Sequence, residues 1–325
     1  MVRTKKILVT GAVGQVGTDL VPVLRARHGA DIVVATGHRS LPSQSFLDSG
    51  PFEVVDASDP AQLRALFERH EFDTVYHLAV LLSALSEAEP HRAWRVNLES
   101  LKLMLDLAVE FSVDRVFWPS SIAVFGPTSP REMTPQRTVL EPSTMYGVTK
   151  LAGENLCAYY HRRHGLDVRS LRYPGLVSFE RFSGGGTTDY SVEMFLEARR
   201  HGRYTCFVRP DTRLPLMYMD DAIRATIELM AADASALTVR TSYNLAGCDF
   251  SAGELAQEIA KHVPGFTCAF APDFRQIIAD SWPMTVDDSV ARRDWHWAPR
   301  FGLKELADAM FAGIAAQDAR AEQKL

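Results

Sequence analysis

The chain has 325 residues, is 46% hydrophobic and carries a formal net charge of −5. That length accommodates one large domain or two coupled ones with a sizeable core, and a charge balance without a basic excess argues against nucleic acid and anionic membranes as partners. The four cysteines, Cys157, Cys206, Cys248 and Cys268, stand far apart with no Cys-x-x-Cys pair, so neither a zinc site nor a disulfide framework is expected, and reduced thiols in the cytoplasm are.

Behind the basic Met1-Val-Arg-Thr-Lys-Lys, the apolar run is broken by Gly11, Gly14 and Gln15. It reads as a first strand and not as a signal peptide, and no run approaches the roughly 18 apolar residues that span a bilayer. The first unit is a strand, Lys6-Ile-Leu-Val-Thr10, then Gly11-Ala-Val-Gly14-Gln-Val-Gly17, then an amphipathic stretch from Thr18 to His28. A strand, glycine turn and helix in direct succession are the context a phosphate-binding turn requires. Gly11 permits the tight turn, Gly14 lets backbone approach a pyrophosphate, Gly17 allows close helix–strand packing, and the helix N-terminus offers free N–H groups.

The second strand, Asp31-Ile-Val-Val-Ala-Thr36, runs into Gly37-His38-Arg39, where a dinucleotide fold places a carboxylate for the adenosine ribose. That carboxylate is missing. The third strand, Phe52-Glu-Val-Val55, closes on Asp56, a candidate partner for the adenine amino group. A fourth, Thr74-Val-Tyr-His-Leu-Ala79, enters the loop Val80-Leu-Leu-Ser83-Ala84. A fifth, Arg115-Val-Phe-Trp118, meets Pro119-Ser120-Ser121, and a sixth, Val168-Arg-Ser-Leu-Arg-Tyr173, ends at Pro174-Gly175. Short apolar strands alternating with helices predict an α/β fold, a Rossmann-type doubly wound parallel sheet with its ligand at the carboxyl ends of the strands. The contact residues expected there are Gly11, Gly14, Gln15, Val16, Gly17, Gly37, Arg39, Asp56, Ala57, Leu78, Ala79, Tyr173 and Leu176.

Between the fifth and sixth strands stands Tyr146-Gly-Val-Thr-Lys150. On a helix this i,i+4 pair shares one face, so phenol and ammonium can enter one cleft. A neighbouring ammonium favours the phenolate, which suits a general base; the bland alternative is a half-buried anchor and an exposed helix charge.

After Gly175 the pattern changes. Ser183-Gly-Gly-Gly186-Thr187-Thr188-Asp-Tyr190 opens a helix expected over 191–201, either as a hydroxyl-bearing binding turn or as a linker with a capping Thr. Further helices are expected to about Ala232 and from Phe250-Ser-Ala-Gly-Glu, with a strand at Ser242-Tyr-Asn-Leu245 and a frayed helix end from Gln317. The division predicted is a dinucleotide-binding domain over 1–175 with a return at about 216–247, and a smaller substrate lobe formed by 176–215 and 248–325.

Thr10-Gly-x-x-Gly-x-x-Gly, Ser121-x-x-x-Phe-Gly126, Tyr146-x-x-x-Lys150 and Tyr173-Pro-Gly together resemble the extended short-chain dehydrogenase/reductase family. Gly-Gly-Gly-Thr-Thr-Asp-Tyr (184–190), Pro-Asp-Thr-Arg-Leu-Pro (210–215), Met-Tyr-Met-Asp-Asp (217–221) and Asp-Ser-Trp-Pro-Met (280–284) are similar to its short-chain-type L-threonine 3-dehydrogenase subgroup. The resemblance covers nearly the whole chain. It implies oxidation of the 3-hydroxyl of L-threonine to give 2-amino-3-oxobutanoate, with hydride passing to a nicotinamide cofactor, and a homodimer. Carried over by position, Tyr146 would be the base, Lys150 would lower its pKa and hold the nicotinamide ribose, and Ser121, five residues before Gly126, would bond the reacting hydroxyl in preference to Ser120. Threonine's carboxylate needs donors, for which Ser83, Thr187, Thr188 and the backbone at Gly186 are the candidates; Trp282 either helps close the pocket or is a core or interface tryptophan. The subgroup carries Asp at the position of Gly37, so NAD is expected with measurable NADP use. Rival readings are a sugar-nucleotide epimerase or dehydratase, which the Gly-Gly-Gly-Thr-Thr block disfavours, and a non-catalytic dinucleotide sensor, which the intact Tyr/Lys pair disfavours.

Overall fold

The structure is a computed structural model that describes residues 5–180 and 186–322. In chain order the strands are β1 (Lys6–Thr10), β2 (Val33–Gly37), β3 (Phe52–Val54), β4 (Phe72–His77), β5 (Arg115–Ser121), β6 (Asp167–Tyr173), β7 (Gly175–Val177), β8 (Arg203–Cys206), β9 (Arg213–Tyr218), β10 (Tyr243–Asn244), β11 (Cys248–Ser251) and β12 (Thr267–Phe270). The helices are α1 (Gln15–His28), α2 (Gln44–Asp48), α3 (Pro60–Arg69), α4 (Ser83–Ala88), α5 (Pro90–Ala93), α6 (Ser100–Glu110), α7 (Met145–His164), α8 (Tyr190–His201), α9 (Met219–Ala231), α10 (Ala252–His262), α11 (Arg275–Ser281), α12 (Ser289–Trp295) and α13 (Leu303–Glu322).

Seven strands form one parallel sheet in the order β10-β6-β5-β4-β1-β2-β3. The order reverses between β1 and β4, so the connections after them leave toward opposite faces and a crevice opens at their carboxyl ends. The period-2 pleat decides which core each side chain joins. Ile7 and Val9 of β1 and Val33 and Ala35 of β2 pack with Leu20 and Leu24 of α1 and with α9. Leu8 and Val34 point the other way, to Leu63 and Leu66 of α3, Leu101 and Leu105 of α6 and Cys157 of α7. Both faces are therefore covered, as parallel sheets require.

A third apolar cluster joins Ile122 and Phe125 to Tyr190, Phe195, Leu214, Phe250, Leu255 and Met310. Around it stand a three-stranded sheet, β11-β9-β7, and a parallel pair, β12-β8. Ser251 caps α10 in a reciprocal capping box with Glu254, the sequence signature that Phe250-Ser-Ala-Gly-Glu carries.

Several boundaries differ from the sequence reading; β4, for example, spans Phe72–His77 where the pattern predicts 74–79. Helix α1 starts at Gln15 and includes Gly17, whose missing side chain lets the helix lie on Ala12. Residues 30–32 form a short 3₁₀ turn, so β2 begins at Val33. Strand β5 continues through Pro119 to Ser121, pairing with β6 as far as Ser121↔Tyr173. Pro119 is tolerated because pairing to β4 has already ended at Tyr76↔Phe117, so no partner on that side waits for its missing N–H. Helix α13 continues to Glu322 and does not fray from Gln317, whose Nε2 donates to the Phe179 carbonyl.

Candidate active site

The crevice at the reversal of strand order is a cavity of about 520 Å³. Every residue picked from the sequence for the site lines it: Gly11, Gly14, Gln15, Val16, Gly17, Gly37, Arg39, Asp56, Ala57, Leu78, Ala79, Ser83, Ser121, Tyr146, Lys150, Tyr173, Leu176, Gly186, Thr187, Thr188 and Trp282. Of the glycine-rich block, Ser183, Gly184 and Gly185 lie outside the described residues.

One end is the glycine turn. Gly11 has φ +64°, and a Cβ there would stand 2.8 Å from the Ala79 nitrogen; one on Gly17 would stand 2.6 Å from Ala12 Cα. Neither position admits a side chain, so the turn lies flat against the crevice. Gly14, the N-cap of α1, contributes no side-chain cap, which leaves first-turn N–H groups facing the cavity. Gln15 reaches across, its Nε2 donating to the Leu176 carbonyl at 3.2 Å, and ties the turn to β7. A bare backbone cradle at a helix N-terminus fits the pyrophosphate of a dinucleotide.

At the other end β5 and α7 meet. Thr144 caps α7 by accepting from the Gly147 N–H at 3.1 Å. A Cβ on Gly147 would come within 2.2 Å of the Ala123 carbonyl oxygen, so this glycine is what allows the first turn of α7 to press on the segment after Ser121. Tyr146 is thereby brought into hydrogen-bond contact with Ser121. Lys150, one turn on, donates from Nζ to the Pro119 carbonyl at 2.6 Å and sits 4.5 Å from the Trp118 ring centre. Ser120 turns away and donates to Glu154 Oε1 at 2.7 Å, so of the two serines only Ser121 is bonded to the phenol.

Burial dominates the electrostatics of the pair. Burial pushes the Tyr146 phenol up to about 12, against the pull of the Ser121 hydrogen bond. Burial brings Lys150 down to about 7, with Cys157 and Glu154 pulling the other way. Desolvation is the largest influence on both groups, because it penalises each charged form.

Several functional neighbours carried no signal that was read in the sequence. Behind α7 lies a buried ion pair, Arg172–Glu154 at 2.8 Å with side chains 3% and 1% exposed. Arg172 also donates to Asn244 Oδ1 on β10 and to the Gln136 carbonyl, and Asn244 Nδ2 donates to the carbonyls of Thr134 and Asp287. The available clue was spacing: Glu154 is four residues beyond Lys150, on the same helix face. Arg92 and Arg95 also line the cavity, from a helical segment whose sequence gives no hint of it. Tyr173 borders the cavity but bonds its hydroxyl to Thr226 on α9. Trp282 is buried there, its carbonyl accepting from Arg131 Nε at 3.1 Å.

Residues 7–246 match the family model described as the NAD dependent epimerase/dehydratase family. Over 307 residues the chain is 47% identical to a mitochondrial L-threonine 3-dehydrogenase of Bos taurus, covering 94% of this chain and 82% of that one. Among solved structures it is similar to a GalE-like L-threonine dehydrogenase from Cupriavidus necator in its holo form, with 48% identity, 95% and 99% of the two chains covered, and a TM-score of 0.92. A monomeric L-threonine 3-dehydrogenase from a metagenome, in its apo form, is 45% identical with a TM-score of 0.91 over 96% of this chain and 99% of that one.

Proposed function

The chain belongs to the NAD dependent epimerase/dehydratase family, and from that premise we propose that it oxidises the 3-hydroxyl of L-threonine to give 2-amino-3-oxobutanoate. The observation that carries the reading is the convergence of Ser121, Tyr146 and Lys150 in the same cavity as the glycine cradle and the Thr187–Thr188 turn.

A nicotinamide dinucleotide, when bound, supplies the hydride acceptor. The chain's own residues do the rest. Tyr146 takes the proton from the substrate hydroxyl at its phenolic oxygen, and Ser121 bonds the same substrate oxygen and fixes its direction. Lys150, held by Pro119, places its ammonium beside the phenol, where positive charge stabilises the phenolate once it forms. Ser83 at the start of α4 and Thr187, both buried, together with Thr188, present hydroxyl donors to the carboxylate of a small zwitterion, whereas the Gly186 N–H, a candidate on sequence, already donates to Asp189 Oδ2 at 2.6 Å. Trp282 covers that end against water.

NAD is the working cofactor in this reading, with NADP also used. Activity in the cytoplasm is supported by four free cysteines and by the absence, among the described residues, of a helix long and apolar enough to cross a membrane. A homodimer is supported by exposed apolar side chains on mutually packed helical segments, Leu85 on α4, Trp94 just after α5, and Val148 and Tyr159 on α7. Light scattering at the dimer mass checks it, and a monomer at micromolar concentration overturns it.

The direct test follows reduced-nicotinamide absorbance with L-threonine, offering NAD and NADP separately. Threonine-dependent reduction with NAD is the expected result. A sugar nucleotide turned over faster than threonine would remove the proposal.

A further inference from the structure

The fold holds the Lys150 side chain in its interior without a carboxylate beside it. The residue is 2% exposed. Its hydrogen bond runs from Nζ to the Pro119 carbonyl at 2.6 Å, and among the described residues no carboxylate lies within ion-pair distance of it. One carbonyl does not offset the cost of taking an ammonium out of water. What else lies against the nitrogen is two aromatic faces, with the Trp118 ring centre 4.5 Å from Nζ and that of Tyr146 at 5.5 Å. A ring face attracts a cation through its quadrupole, most strongly for indole and where water is excluded.

The chain makes room for that indole. Trp118 of β5 is buried in the cluster that holds Leu101 and Cys157. Facing it is Gly153, three residues beyond Lys150 and therefore on the same side of α7. A Cβ on Gly153 would stand 2.3 Å from Trp118 Cη2 and 2.6 Å from Cζ2. Glycine weakens a helix interior; here the space it leaves is filled by the ring that meets Lys150.

The other titratable groups around Nζ come from three elements. On α7, Glu154 and Cys157 favour the ammonium from further along the helix, and burial pushes the Tyr146 phenol up to about 12. On β4, burial and the Lys150 charge bring His77 down to about 3, so it stays neutral. On β6, Arg172 is paired with Glu154 at 2.8 Å. None of these forms an ion pair with Lys150.

We propose that Trp118 is a positioning residue of this site: its indole face, admitted by Gly153, keeps Lys150 charged and fixes the ammonium beside the Tyr146 phenol. Lys150 stabilises a phenolate only while it carries its own proton, so whatever sustains that proton sustains proton abstraction. The kinetic consequence rests on the proposed function, whereas the contact between indole and ammonium belongs to the chain itself.

The test reads the Lys150 proton in the full chain without cofactor. Lys150 lines the cavity, so competitive labelling with acetic anhydride across a pH series, followed by mass spectrometry of its peptide, gives its pKa. Trp118→Leu keeps apolar bulk and deletes the ring. It should lower the Lys150 pKa by about half a unit to one unit, because losing the ring disfavours the charged form. Trp118→Phe, with a smaller ring in place, should lower it less. With NAD and L-threonine, the Leu variant should lose about 3- to 10-fold in turnover with little change in the Michaelis constant for threonine, and the Phe variant should recover part of the loss. An unchanged Lys150 pKa in the Leu variant overturns the proposal. So does a raised one, which would show that the indole acts only by keeping water out. Should the Leu variant fail to melt cooperatively, the Phe variant is judged by the same two outcomes. If the pKa falls as expected but the wild type does not oxidise L-threonine, the role of Trp118 at Lys150 stands and the proposed reaction falls.

Discussion

The two ends of the cavity make opposite use of charge. At the Tyr146 end, Lys150 is buried and Tyr146 half-buried, and behind them Glu154 and Arg172 are paired out of water. At the Gly37 end, His38 and Arg39 stand in solvent on a short connection between β2 and α2. The enclosed end has little freedom: each group has a fixed partner, and removing one leaves another buried and unsatisfied. The exposed end can change a side chain at little cost to the fold, so it is where cofactor choice can vary among proteins that share the same reacting groups.

The sharpest way to break this comparison is at Glu154. Glu154→Ala leaves Arg172 charged and unpaired in the interior, which costs about 3–5 kcal/mol. A large fall in thermal midpoint is the expected reading. A midpoint within a few degrees of wild type would mean that the enclosed end tolerates change as well as the rim does.

Next in size is Tyr146→Phe, which keeps the ring and deletes the proton acceptor. Turnover of L-threonine should drop by at least about two orders of magnitude, with cofactor affinity retained in a fluorescence titration. Lys150→Met belongs with it, and should lower turnover and weaken cofactor binding together, because in the proposed function Lys150 serves both. Unchanged kinetics in either variant would make the pair structural.

At the other end, Gly37→Asp sets sterics against electrostatics. On sequence grounds the added carboxylate would simply favour NAD by repelling the 2′-phosphate. With Val13 and Phe52 within 2.9 and 3.1 Å of the new Cβ, the expected outcome is a loss of about 1–3 kcal/mol in stability and weaker binding of both NAD and NADP, read by thermal melting and titration. A stable variant with NAD affinity intact would show that the rim can move to admit a side chain.

The smallest effects are expected at Thr187→Ala and Thr188→Ala. At least one should raise the Michaelis constant for threonine several-fold, as loss of one neutral hydrogen bond does, with cofactor affinity unchanged. Two silent variants would return the turn to a capping role.

Much of this molecule was written locally. The apolar runs of β1 and β2, the glycine turn and the Ser251–Glu254 capping box depend on neighbours within a few residues, so sequence alone determined the seven strands of the parallel sheet and which loops meet at its carboxyl edge, but not β7, β8, β9, β11 and β12. The i,i+4 spacing likewise put Tyr146 and Lys150 on one face, and the glycine spacing marked the cradle. What the tertiary structure decided was everything set by distance across the fold. The pairing of Glu154 with Arg172 joins α7 to β6, the contact of Gly37 with Val13 and Phe52 joins β2 to the glycine turn and β3, and Arg95 reaches the cavity from the helical segment after α5. The electrostatics of Tyr146 and Lys150 also belong here. Sequence shows that an ammonium stands near a phenol; only the packed structure shows that burial raises the phenol's pKa and lowers the lysine's, desolvation being the largest cause of each shift.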